Sequence, residues 1–165
     1  MIFEGRCWRF GDNIPTDRLV KSKYVFQPMD VIVEHVLEDL NPQFPAQVAP
    51  GDIVVAGRHF GQSSGRAIAA KALKATRIGC VVAQTFARTF YRNCFEIGLP
   101  AMEVGYIPDL AADGNQIRVD LGTGLFTNLT TGATVQTTPA DPFLTEMLNA
   151  GGLIDLAKQQ PNLFG

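Results

Sequence analysis

An α/β fold with a partly parallel sheet is predicted by three features of this sequence. Short, continuous apolar runs alternate with helical stretches between Asp52 and Val104. After Asn115 the pattern changes to β segments broken by glycines. The length of 165 residues, 46% of them hydrophobic, suits one compact domain (1–165) able to build a single core.

The elements follow in order. Residues 2 to 10 carry aromatic and β-compatible types before the turn signal Gly11-Asp12-Asn13, which predicts an opening strand. From Met29 to Leu40 the apolar residues Ile32, Val33, Val36, Leu37 and Leu40 fall on one helical face. Asp30 is placed to cap that helix, and Pro42 lies just past its end. Ile53 to Gly57 reads as a buried strand, followed by the small-residue loop Gly61 to Gly65 and an alanine-rich helix from Arg66 to Thr76. Gly79 to Ala83 is a second buried strand, Phe86 to Ile97 a second helix stopped by Gly98, and Pro100 to Val104 a third strand. This βαβαβ order favours parallel strands joined by right-handed crossovers.

A polar turn from Asp109 to Asn115 leads into a hairpin-like element, Gln116 to Leu121 and Leu125 to Gln136, interrupted at Gly122, Gly124 and Gly132. The C-terminal helical segment, about 141–160, begins at Asp141 as N-cap with Pro142 in the first turn. Gly151-Gly152 separates that helix from a final one, Leu153 to Gln159.

Composition argues against several partners. The formal charge is -2 and the basic residues are scattered, so neither nucleic acid nor an anionic membrane is expected to bind. The N-terminus lacks the pattern of a signal peptide, and no apolar stretch approaches the ~20 residues of a membrane span, which predicts a cytoplasmic protein. Cys7, Cys80 and Cys94 form no CxxC pair and read as buried free thiols. His35 and His59 read as structural histidines, so no metal site is expected in this chain.

The candidate for chemistry is Gly61-Gln62-Ser63-Ser64-Gly65-Arg66, between a buried strand and a helix. Such a loop gathers backbone N–H groups at the positive helix end, and Arg66 can grip a carboxylate with two parallel hydrogen bonds. It lacks the Lys-Ser/Thr ending of a P-loop and the spacing of GxGxxG. The local pattern equally allows a plain turn whose serines cap the helix while Arg66 sits in solvent.

Four segments together resemble the 3-isopropylmalate dehydratase small-subunit family, related to the swivelling domain of aconitase. Gly11-Asp12-Asn13-Ile14-Pro15-Thr16-Asp17 is similar to the family's GDNIDTD, and Lys23-Tyr24-Val25-Phe26 falls at its tyrosine-led specificity loop. Gly57 to Ala67 follows its loop GxNFGxGSSRE. Ala83 to Cys94 with Gly98-Leu99-Pro100 is similar to A-x-S-F-A-x-I-F-Y-x-N and G-L-P. The match extends over about the first two thirds of the chain.

The resemblance implies a three-layer β/β/α swivelling fold and a hydro-lyase of leucine biosynthesis, active as a heterodimer with a large dehydratase subunit. That partner would hold a four-iron four-sulfur cluster, with no cofactor in this chain. Ser64 aligns with the family's general base, and Arg66 with the arginine that binds a substrate carboxylate. Ser63 and Gly65 complete the substrate loop, although a glycine is usual at the first and a serine at the second; Ala67 and Ile68 replace Glu and His. Asp12, Asn13, Thr16 and Asp17 would form a second wall that positions loop or substrate, or else serve only as turn and cap residues.

Family residues just after the loop tyrosine face the substrate's variable group, and an arginine there accompanies an additional carboxylate. Val25-Phe26-Gln27 carries no positive charge, which implies an alkyl-substituted substrate. The expected reaction removes water from a small hydroxy dicarboxylate of isopropylmalate type and adds it back. Another alkyl malate or citraconate-type acid, or a non-catalytic carboxylate-binding module, are the alternatives.

Overall fold

The computed structural model describes residues 1–107 and 110–163. Its strands are β1 (Ile2–Arg9), β2 (Ile53–Ala56), β3 (Cys80–Ala83), β4 (Ala101–Glu103), β5 (Gln116–Asp120), β6 (Leu125–Asn128) and β7 (Thr134–Gln136), in the spatial order β4-β3-β2-β1-β5-β6-β7. The neighbours from β1 to β4 are parallel, and those from β1 through β5 and β6 to β7 are antiparallel. β1 belongs to both halves. Ile2 to Arg6 pair with β5, and Cys7 to Arg9 pair with β2. At the changeover a side chain at Gly5 is impossible, since its Cβ would lie 2.1 Å from the carbonyl oxygen of Gly51.

Burial separates the layers. Every residue of β2 and β3 is buried, as strands covered on both faces require, whereas β5 buries only alternate residues, Ile117 and Val119. The parallel strands advance in one lateral direction, so right-handed crossovers deliver their helices to one face. There α1 (Thr16–Leu19), α2 (Met29–Val33) and α5 (Arg88–Glu96) each pack against α4 (Ile68–Ala75), α3 (Phe44–Gln47) precedes β2, and α6 (Pro142–Ala150) and α7 (Leu153–Gln159) pack onto α5. The result is the expected β/β/α arrangement around one contiguous apolar core.

The C-terminal signals act as read. The Asp141 carboxylate accepts from Phe143 N at 2.8 Å, and Pro142 opens α6. Lys74 then ties α6 to α5, its ammonium donating to the carbonyls of Ile97 and Gly151 at the ends of those helices. Asp109, at the start of the expected polar turn, lies outside the described residues.

The predicted helix over 29–40 is a correction. It stops at Val33, and the chain continues in tight turns whose bonds run from His35 N to Ile32 O and from Leu40 N to Leu37 O, both at 3.0 Å. Leu37 takes a left-handed φ of 57° and gives its N–H to Leu19 O at 3.0 Å, so a tertiary bond replaces the helical one. Val36 and Leu37 reach the core all the same. Asp30 does not cap this helix; Pro28 holds the cap position, and the Asp30 carboxylate accepts from the adjacent Val31 N.

Candidate active site

Parallel strands end at a common edge, and at that edge the loops after β1, β2 and β3 meet. The loop after β2 is zipped between the other two by main-chain bonds. On one side Asn13 N donates to Arg58 O at 2.7 Å, Gly61 N to Ile14 O at 2.8 Å, and Thr16 N to Gln62 O at 2.9 Å. On the other, Phe60 N donates to Thr85 O at 3.0 Å and Ala87 N to Phe60 O at 2.8 Å. Beneath the loop Phe60, Phe86 and Phe90 form a buried aromatic cluster, with Phe60 and Phe90 edge to face at 5.3 Å. Gly61 lies so close to this cluster that a Cβ there would stand 2.2 Å from the Phe90 ring.

Asp12 and Asn13 serve this zipper. The Asp12 carboxylate accepts from the backbone N–H of Arg58 at 2.8 Å and from its guanidinium at 3.1 and 3.2 Å. These bonds, the main-chain one foremost, hold its carboxyl below the usual aspartate range. Asn13 has φ 55°, a turn conformation that asparagine tolerates. Of the four expected wall residues, Asp12 and Asn13 do not line the cavity beside this loop, and both bond to Arg58 within the loop.

A cavity of about 390 Å³ opens beside the zipped loop, lined by Thr16, Asp17, Val20, Ser22, Val25, Phe26, Ser63, Ser64, Arg66 and Ile68. Six of the predicted site residues thus converge from three separate segments. Of those from the loop, Gly65 is the exception: a Cβ there would meet Thr89 of α5 at 3.6 Å, and its carbonyl accepts from the buried Asn93 side chain at 3.2 Å. Phe26 is 87% exposed at the cavity.

The turn-and-cap reading of the serines fails in one respect. α4 starts at Ile68 rather than Arg66, its cap position is Ala67, and no side chain caps it. Ser64 Oγ instead accepts from Arg66 N at 3.2 Å, while Ser63, at a left-handed φ of 77°, donates its hydroxyl to Gln62 O at 2.6 Å. The Arg66 side chain is exposed and pairs with no carboxylate among the described residues. A hydroxyl with an N–H aimed at its oxygen and an uncommitted guanidinium can together receive a carboxylate and support negative charge on oxygen.

Val20, Ser22 and Ile68 carry no sequence signal that marks them as lining residues, because their approach depends on how α1 meets α4. A cluster or metal finds no fitting donors here. Cys7, Cys80 and Cys94 are buried on β1, β3 and α5, and burial first of all pushes their thiols up, Cys7 to about 12. Among the described residues no three of His, Cys, Asp and Glu gather into a possible metal site. His35 bonds to Glu38 as a structural histidine, and no described helix is long and apolar enough to cross a membrane.

Comparison with known proteins agrees with this fold. The aconitase C-terminal domain family matches residues 19–105. The 3-isopropylmalate dehydratase small subunit of Thermodesulfovibrio yellowstonii is 41% identical, over 97% of this chain and 96% of its own. That of Nautilia profundicola is 44% identical, over 96% and 95%. The isopropylmalate/citramalate isomerase small subunit of Methanocaldococcus jannaschii is 39% identical over 96% of this chain and 95% of its own. Among solved structures, 3-isopropylmalate dehydratase (leuD) of Methanocaldococcus jannaschii superposes with a TM-score of 0.90 at 31% identity, covering 98% of this chain and 96% of that one. The likeness therefore spans nearly the whole chain, beyond the first two thirds that the motifs mark.

Proposed function

Because the chain belongs to the aconitase C-terminal domain family and, within it, to the 3-isopropylmalate dehydratase small subunits, we propose that it is the small subunit of a heteromeric hydro-lyase. The substrate of this reading is an isopropylmalate-like hydroxy dicarboxylate, dehydrated and rehydrated in the cytoplasm by a heterodimer with a large subunit. The whole chain acts as one swivelling domain.

The observation that supports it most is the convergence of Ser64 and Arg66 on one cavity with an apolar side made by Val20, Val25, Phe26 and Ile68. A four-iron four-sulfur cluster, for which the described residues of this chain gather no ligand set, belongs in this reading to the large subunit. The part left to this chain is binding and proton transfer. Arg66 takes one substrate carboxylate in a two-pronged bond, while Thr16 and Asp17 line the same cavity from α1. Ser64 as alkoxide takes the proton from the carbon beside a carboxylate, the C–H electron pair becoming the double bond as the hydroxyl leaves the next carbon, a departure that the large subunit's cluster would assist. Since a free serine hydroxyl is far too weak a base, the Arg66 N–H at 3.2 Å and the guanidinium must stabilise that oxygen. The apolar side then receives the alkyl branch, at ~0.8 kcal/mol for each buried methylene.

The test is reconstitution. The isolated chain shows no dehydratase activity, and the chain assembled with a cluster-loaded large subunit turns over isopropylmalate. Because the Methanocaldococcus jannaschii relative is named for both isopropylmalate and citramalate, the same assay compares the two acids. Activity of the pure chain alone, or a reconstituted complex inert toward both acids, would refute this reading.

A further inference from the structure

The cavity wall formed by Val25 and Phe26 sits on a segment whose own backbone does little to place it. Tyr24 N donates to Lys21 O at 2.9 Å, Val25 N to Ser22 O at 3.4 Å and Gln27 N to Tyr24 O at 2.9 Å, all of them local turns. What fixes the segment is a set of side chains converging on the turns after α2. Lys21, at its start, donates to Glu38 at 2.8 Å and to Asp39 at 2.7 Å. The Tyr24 ring, inside it, lies flat on His35, with centroids 3.8 Å apart and planes 5° from parallel. His35 in turn is joined through Nδ1 to the second oxygen of Glu38 at 2.7 Å.

Glu38 is therefore the shared end of both tethers, one oxygen on Lys21 and the other on His35. Its own placement is backed by the main chain: the neighbouring Leu37, buried and left-handed, hangs from Leu19 O on the side of α1. Burial opposes ionisation of Glu38, but the bonds from Lys21 and His35 outweigh it and hold the carboxyl below its usual range. The geometry points to Glu38 as a positioning residue that sets the Val25–Phe26 wall, and so substrate fit, through Lys21 and through His35 and Tyr24. This rests on reading that cavity as the substrate site.

The experiment uses the full chain with its large subunit, and compares Glu38→Ala with the wild type. Two readouts are taken: amide hydrogen exchange along the small subunit, and kcat and KM for the best alkyl malate. Exchange in 22–28 speeds up about tenfold while that of 58–66 stays unchanged. KM rises about fivefold with kcat within about twofold, because the wall binds but does not react. Lys21→Met, which releases only one tether, gives a smaller shift of the same kind and serves if Glu38→Ala does not fold. Unchanged exchange in 22–28, faster exchange throughout the chain, or a mobile loop with unaltered KM would each overturn the assignment. Exchange does not depend on turnover, so a complex inert even as wild type would refute the proposed reaction and leave the tether measurable.

Discussion

Two segments wall the same cavity, and they are held by different forces. Gly57 to Arg66 is stitched to its neighbours through main-chain groups, with Gln62, Ile14, Thr85 and Arg58 contributing carbonyls and Phe60 anchored in an aromatic cluster. Ser22 to Phe26 is placed by side chains, an ion-paired lysine and a stacked tyrosine. Main-chain bonds survive most substitutions, whereas a side-chain tether vanishes with one. A hydro-lyase scaffold built this way can retune what it binds without moving the groups proposed to react.

The contrast can be broken from either side. Arg66→Lys keeps the charge but loses the two-pronged grip. It is expected to raise KM for the dicarboxylate by tenfold or more, about 1.4 kcal/mol or above, with a smaller change in kcat. An unchanged KM would mean that Arg66 stays in solvent. On the other wall, Phe26→Arg puts a cation where the chain now has an exposed ring and is expected to shift relative kcat/KM toward tricarboxylates by about tenfold. If the wild-type complex already prefers homoaconitate or citrate, the apolar-wall reading is wrong.

The smallest effect concerns strain. Ser63 sits at a φ of 77°, where a glycine rests more easily, so Ser63→Gly should stabilise the fold by about 0.5–1 kcal/mol, read as a raised Tm. A lower Tm would show that its hydroxyl bond to Gln62 O outweighs the backbone cost.

The sequence made the parallel half of the sheet legible, because strands buried on both faces must be continuous apolar runs and the crossover helices have clear stops such as Gly98. It made the candidate loop legible too: Ser63, Ser64 and Arg66 lie close together in the chain and line one cavity. Two things were hidden. The helix over 29–40 reads as amphipathic because its apolar residues do reach the core, yet they do so through a left-handed Leu37 that bonds Leu19, a tertiary choice that periodicity cannot register. The pairing of Lys21 with Glu38 and Asp39 was likewise invisible, since it depends on those turns. Asp12 and Thr16 look alike as turn residues, but only the structure separates the one that grips Arg58 from the one that lines the cavity.

If this chain supplies the proton-abstracting group, Ser64→Ala in the reconstituted complex removes it. Turnover and equilibrium substrate binding would be measured on the same preparation. Turnover is expected to fall by about 10³-fold, the scale of a lost general base, while the dissociation constant changes by less than about twofold. Turnover within about twofold of wild type would contradict it, because a cavity that works without that hydroxyl does not use Ser64 as its base.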